Sequence, residues 1–268
     1  MTMILKDIKE YTKSLKKCLT HQVSMMLEAP KLAIIQVGCN EASNRYIRNK
    51  VKDCKEIGIE TNVYGYDDNI MEKELIEELT HLQDFYDGVI VQLPLPPHIR
   101  QEKIIAAIDK NKDVDGFKAD SPFDPATPKG IMDYLKYCGF DLCGKDVVII
   151  GRSEIVGKPL ARLMIAADAT VTLCHSKSKL EKHLENADLI VCAVGKKNFL
   201  NCYSIYVPVI DVGINFTDDG KLVGDAFNTE DRDVTPVPGG VGLLTRCALL
   251  ENVINAKGGA LNANHKLD

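Results

Sequence analysis

Val147-Val-Ile-Ile150 runs without a break into Gly151-Arg-Ser-Glu-Ile-Val-Gly157-Lys-Pro159. Four consecutive branched apolar residues predict a strand buried on both faces, and the glycines and proline after them predict a tight turn that opens a helix. Such a strand-to-helix turn can bring backbone N–H groups and the positive helix end onto a pyrophosphate. The spacing departs from G-x-G-x-x-G, because Ser153 stands at the second glycine and Gly157 lies one position late. By itself the turn suits a dinucleotide or a tight bend in any α/β protein.

The next strand, predicted at 170–174, ends in Cys174-His175-Ser176-Lys177. NAD enzymes usually place a carboxylate near here, about 20 positions after the glycines, to hold the ribose hydroxyls. A hydroxyl and a cation in that place, with Arg152 in the turn, suit a 2′-phosphate, so NADP is preferred over NAD. Lys177 and Lys179 also read as ordinary solvated charges, which leaves the preference on Arg152, Ser176 and the missing acid.

Outward from this turn the pattern repeats. Strands are predicted at 147–150, 170–174, 189–194 and 207–212, with helices at 156–167 and around 180–185, which implies a parallel sheet covered on both faces. Upstream, strands at 32–37, 61–66 and 88–93 alternate with helices at 41–57, 71–82 and 99–108. Before them Ile4, Ile8, Tyr11, Leu15, Leu19, Val23 and Leu27 make the stripe of an amphipathic helix over 3–28. Residues 109–128, punctuated by Pro122, Pro125 and Pro128, read as a linker, and a helix is expected at 131–138. A last amphipathic helix covers about 242–256, and 257–268 read as a polar tail.

At 268 residues, 45% hydrophobic and 26% charged, the chain has the make-up of a globular protein of two medium domains. No apolar run approaches a membrane span, and Lys6, Asp7, Lys9 and Glu10 interrupt any leader-like stretch, so the cytosol is the expected compartment. Nine scattered cysteines without a C-x-x-C pair read as reduced thiols and indicate neither a disulfide framework nor a metal site. A net charge of −5 with no basic stripe argues against nucleic acid as partner.

Three segments of the first half carry possible chemistry. Tyr46 and Lys50, four apart on one helix face with Lys52 beyond, can steer protons or form an ordinary basic surface. Gln92 ends an apolar strand just before Leu93-Pro-Leu-Pro-Pro97, and ligand groups in α/β sheets gather at strand carboxyl ends. Asp113-Val-Asp-Gly-Phe117 offers two carboxylates in a turn, which can hold a ligand group or be a calcium-like or simple Asx turn.

In order along the chain stand Y-x-x-x-K-x-K, V-Q-L-P-L-P, D-V-D-G-F, P-A-T-P-K-G, G-R-S-x-x-V-G-x-P, D-V-G-I-N and T-P-V-P-G-G-V-G. This series resembles the bifunctional methylenetetrahydrofolate dehydrogenase/methenyltetrahydrofolate cyclohydrolases over about residues 30–256. The resemblance implies an α/β protein of two domains. An N-terminal α/β folate-catalytic domain would span 1–120, with 243–268 packing back on it, and a C-terminal Rossmann-type parallel-sheet domain would span 121–242, with the pterin in a cleft between them. It implies Lys50 as the essential catalytic residue, Tyr46 stacking beside the substrate, Gln92 bonded to the lysine, and Asp115 holding the pterin's amino-pyrimidine edge. Leu93, Pro238, Gly239 and Gly242 would border the folate. Gly151, Arg152, Ser153, Ile155, Ser176, Ile214, Thr127 and Thr245 would contact NADP, with helix capping the alternative for Thr245.

The expected activity is oxidation of 5,10-methylenetetrahydrofolate with NADP, then hydrolysis to 10-formyltetrahydrofolate, by a homodimer. A dehydrogenase-only enzyme and a non-catalytic folate or nucleotide sensor are the alternatives. Against the family pattern, the loop 118–126 is short, Ala126 stands where Cys is common, and Leu243-Leu244 replace Pro-Met. The N-terminal helix also lacks the common glycine-containing entry.

Overall fold

The computed structural model describes residues 5–203, 205–226 and 233–258. Two compact units share the chain. One holds Leu15–Ala126 with Leu249–Asp268, the other Met1–Ser14 with Thr127–Ala248. The division thus falls at 14/15, 126/127 and 248/249, whereas the functional division read from the sequence runs at 120/121 and 242/243.

The first sheet is parallel with order β2-β1-β3, formed by Lys31–Val37 (β1), Glu60–Tyr66 (β2) and Gly88–Val91 (β3). The central strand β1 is an apolar run buried at Leu32, Ala33, Ile34, Ile35 and Val37, while the edge strand β2 is largely exposed. β3, the other edge strand, is buried throughout, so the contrast reflects what covers the faces of each strand rather than its place in the order. Its helices are Glu41–Ile57 (α2), Glu72–Leu82 (α3) and Gln101–Ala107 (α4). Leu75, Leu79 and Ile104 of α3 and α4 pack with Ala33, Ile35, Val89 and Val91 in one core cluster. Each fully buried Leu or Ile there contributes roughly 1.5–3 kcal/mol.

The second sheet is also parallel, with order β5-β4-β6-β7. Its strands are Asp146–Ile150 (β4), Thr170–Cys174 (β5), Leu189–Cys192 (β6) and Val209–Asp211 (β7), and its helices include Ala126–Cys138 (α5), Gly157–Ala166 (α6) and Glu181–Leu184 (α7). The stretch 147–150 is a central strand, buried at all four residues. A two-stranded antiparallel hairpin of Asn215–Phe216 (β8) and Leu222–Val223 (β9) follows β7, and Val241–Ala256 (α8) closes the described chain.

Several elements are shorter than expected, β3 ending at Val91, β6 at Cys192 and β7 spanning only Val209–Asp211, and two helix boundaries change the reading more. The first helix, Ile8–Ser24 (α1), tightens through Met25 and Met26 N–H bonds to the Gln22 and Val23 carbonyls and stops, leaving Leu27 fully exposed outside the stripe. Ile4, and the start expected at residue 3, lie outside the described residues, as do residues 259–268 of the polar tail. Helix α5 begins at Ala126 rather than 131, so Pro128 belongs to a helix and not to the linker. Proline is tolerated there because first-turn N–H groups have no partner within the helix. No described helix is long and apolar enough to cross a membrane.

Candidate functional site

Helix α2 starts where the Asn40 side chain accepts the Ser43 N–H, and it carries Tyr46 and Lys50 half-buried one turn apart. The Lys50 ammonium donates to Gln92 Oε1 at 3.3 Å. Gln92 is held twice, by its backbone N–H on the Ile35 carbonyl and by its Nε2 donating to the Leu93 carbonyl at 2.8 Å. The second bond orients the amide, so its oxygen faces the lysine. Lys52 is exposed and takes no part in this group.

The third member is Asp115, in the turn after the short 3₁₀ segment Lys110–Lys112. Burial pushes its carboxyl above the usual aspartate range, the charge of Lys50 works against that shift, and Asp113 reinforces it. Asp113 is fully buried and is likewise pushed up by burial, opposed by backbone N–H groups; Lys118 N–H donates to its Oδ2 at 2.7 Å. The turn is therefore closed by its own aspartate, whose carboxylate reaches N–H groups beyond the i+2 position of a simple Asx turn. Among the described residues no group of three or more His, Cys, Asp or Glu side chains is placed to hold a metal. Leu93, Asp113, Asp115 and Phe117 line a cavity with room for about one water, too small for a pterin.

In the second unit the register pairs Ile150 with Cys174, so the turn from Gly151 and the segment His175-Ser176-Lys177 leave adjacent strand ends. Arg152, Ser153, Ser176 and Lys177 are exposed, Ile155 is half-buried, and no carboxylate stands at 175–180. Both glycines of the turn are required by geometry. Gly151 has φ +115°, and a β-carbon on Gly157 would lie 2.0 Å from the Gly151 carbonyl oxygen. The late glycine thus lets the start of α6 close directly onto the backbone of Gly151 and Arg152, where a side chain would collide. The residues present fit a dinucleotide with a 2′-phosphate. Gly157→Ala is expected to weaken NADP by roughly tenfold or more, about 1.4 kcal/mol, in a direct NADP titration; unaltered binding would mean the turn does not carry the cofactor.

Behind the strand ends lies a feature that sequence reasoning missed. Asp225, fully buried, accepts the N–H groups of Val194 (2.8 Å), Gly195 (3.0 Å) and Lys196 (2.8 Å) and the Asn215 side-chain amide (2.9 Å). Asp211 accepts the N–H groups of Gly213, Asp225 and Ala226. The two carboxylates tie the loop after β6 to the segment after β7, next to Ile214, which is exposed. Three successive backbone donors on one carboxylate leave no local sequence signature.

Thr127 and Thr245 meet at 3.0 Å between hydroxyls, and Thr245 donates to the Val241 carbonyl at 3.0 Å. Its one proton being used, Thr127 is the donor between them. Capping is excluded for Thr245, because α8 begins at Val241 and Thr245 stands a full turn inside. Pro238 and Gly242 are exposed and Gly239 half-buried, at the entry to that helix.

Residues 6–115 match the family described as Tetrahydrofolate dehydrogenase/cyclohydrolase, catalytic domain, and residues 125–260 match Tetrahydrofolate dehydrogenase/cyclohydrolase, NAD(P)-binding domain. The Bifunctional protein FolD of Acetivibrio thermocellus is 44% identical over 245 residues, covering 85% of this chain and 86% of that protein. Among solved structures, the bifunctional FolD methylenetetrahydrofolate dehydrogenase/cyclohydrolase of Campylobacter jejuni superposes with a TM-score of 0.90 at 40% identity, covering 96% of this chain and 99% of that one. The Trypanosoma brucei FolD complexed with NADP and inhibitor gives a TM-score of 0.88 at 29% identity, covering 97% and 98%.

Proposed function

The chain belongs to the tetrahydrofolate dehydrogenase/cyclohydrolase family, and from that membership we infer that it oxidises 5,10-methylenetetrahydrofolate with NADP and hydrolyses the resulting 5,10-methenyl cation to 10-formyltetrahydrofolate. When bound, NADP accepts the hydride leaving the one-carbon bridge. The protein's share of that step is alignment, because the product is a cation and no base is consumed.

Hydrolysis makes different demands. Water adds to the methenyl carbon, a proton is lost from the added water, and a proton must reach the ring nitrogen released as the C–N bond breaks. We assign that proton traffic to Lys50, held by Gln92, with Tyr46 beside the pterin and Asp115 accepting the paired donors of its amino-pyrimidine edge. The observation that carries the reading is the 3.3 Å bond from Lys50 to an amide oxygen pinned toward it. Leu93, Pro238, Gly239 and Gly242 are assigned to folate, and Gly151, Arg152, Ser153, Ile155, Ser176, Ile214, Thr127 and Thr245 to NADP. We take 1–120 with 243–268 as the folate-catalytic part, 121–242 as the cofactor part, and the enzyme as a cytosolic homodimer.

Following methenyl-folate absorbance with NADP or NAD tests the assignment. Formation then decay is expected, with NADP preferred; formation without decay would leave a dehydrogenase alone, and neither would leave a binding protein.

The raised Asp115 pKa gives a pH prediction. As pH falls through that value the carboxylate takes a proton and loses an acceptor, so folate KM rises on acidification, beginning above the ordinary aspartate value of about 3.9. The stability contribution has the opposite sign. A carboxyl whose folded pKa is raised binds protons preferentially in the folded state, so Asp113 and Asp115 cost stability at neutral pH and cost less as pH falls through their raised values. A KM profile that stays flat until the protein unfolds in acid would remove Asp115 from folate binding.

A further inference from the structure

We propose that Asn252, on the second half of α8, is the positioning residue that holds Asp115 in its folate-binding place; the proposal rests on the assignment of Asp115 to the pterin. Asn252 is 1% exposed, and its Nδ2 donates to the Val114 carbonyl at 2.9 Å and to the Asp124 carbonyl at 3.1 Å. Both partners are acceptors, so the nitrogen must face them and both amide protons are engaged.

These two carbonyls form the base of the loop that carries the carboxylate. Residues 115–123 leave the base at Val114 and return to it at Asp124. Within the loop, Gly116 N–H bonds to the Asp113 carbonyl at 2.9 Å, and Ala126 N–H bonds to the Asp115 carbonyl at 3.3 Å. Gly116 has φ +69°, and a β-carbon there would lie 2.7 Å from the Phe123 carbonyl oxygen, so the outgoing and returning strands of the loop touch at the residue after Asp115. The loop's own bonds fix its curvature. Asp113, beside the base, also bridges to Val89 of β3, and Lys118 donates to the Ala106 and Ile108 carbonyls, but Asn252 is the side chain that reaches both ends of the loop, 138 residues from Val114 and 128 from Asp124. A side chain buried under the loop, tying both ends to a helix, sets where the loop stands on its unit and hence where Asp115 presents its oxygens. The short 118–126 segment fits this role, because a tighter excursion transmits the position of its base more directly to its tip.

The test is kinetic. Asn252→Ala, and Asn252→Asp as the variant of equal size that sets a carboxyl against both carbonyls, are each compared with Asp115→Ala. Asn252→Ala is expected to raise folate KM about tenfold with a smaller change in kcat and with NADP affinity unchanged. In an Asp115→Ala background it should add nothing further, because the two residues act as one unit. A general loss of structure would move NADP and folate together, and that result would overturn the proposal. So would an Asn252→Ala protein with native folate KM beside an Asp115→Ala protein with a raised one, which rejects the brace alone. Native folate KM in Asp115→Ala would instead reject the Asp115 assignment on which the brace rests. Should Asn252→Asp fail to fold, Asn252→Ala decides the matter alone.

Discussion

Lys50→Met is expected to lower cyclohydrolase turnover by about 100- to 10,000-fold, the usual contribution of a placed proton carrier, while NADP affinity stays unchanged. Methionine keeps an unbranched apolar stem in the half-buried position and removes only the ammonium. Gln92 Oε1 then loses its donor, but the amide stays oriented by the Leu93 carbonyl, so the site keeps its shape without its charge. The dehydrogenase step should suffer less, since it depends on alignment. The decay of methenyl-folate absorbance measures the first quantity, its rate of formation the second, and an NADP titration the control. Native decay would remove Lys50 from the mechanism.

The other large effect is structural. Asp225→Ala strips an acceptor from three consecutive backbone N–H groups and from Asn215. Each buried donor left without an acceptor costs roughly 1–3 kcal/mol, against a total stability of about 5–15 kcal/mol for an ordinary domain. The expected outcome is a melting temperature far below native and loss of NADP binding, because the loops at the ends of β6 and β7 no longer have a common anchor. Thermal unfolding with and without NADP checks it. A variant that melts with the native protein and still binds NADP would show that the carboxylate only fills space.

The sequence made the two parallel sheets legible because their central strands are apolar on both faces, a pattern that survives without tertiary context. The four-residue β6 was readable for the same reason, and the exposed edge strand β2 through its β-branched and aromatic residues Thr61, Val63, Tyr64 and Tyr66. The hairpin β8–β9 was not, since two-residue strands carry no period. Lys50, Gln92 and Asp115 stand in motifs, and the resemblance already implied the bond from Lys50 to Gln92, while the charge of Lys50 acting on Asp115 became visible only with the fold. Asn252 and Asp225 were invisible because each is one polar residue in an ordinary local setting, and its partners lie far away along the chain. For Thr245 the sequence left capping open beside contact with NADP, and only the helix boundary removes the cap, because Thr245 stands a turn inside. Pro128 misled, as a breaker that turned out to stand in a first turn.

The unit that carries Lys50 and Asp115 is assembled from two separated stretches of sequence, with Thr127–Ala248 between them. For a chain made from its N-terminus, this sets an order of events. The sheet β2-β1-β3 and the Asp115 loop have been synthesised in full when residue 126 is added, yet the amide that ties down the loop arrives 128 residues after Asp124. At typical rates of synthesis that is roughly 6–25 s. During that interval the loop has its bridge to β3 but not its tie to α8, and a ribosome stalled before residue 249 would display the first sheet without the half of α8 that carries Asn252.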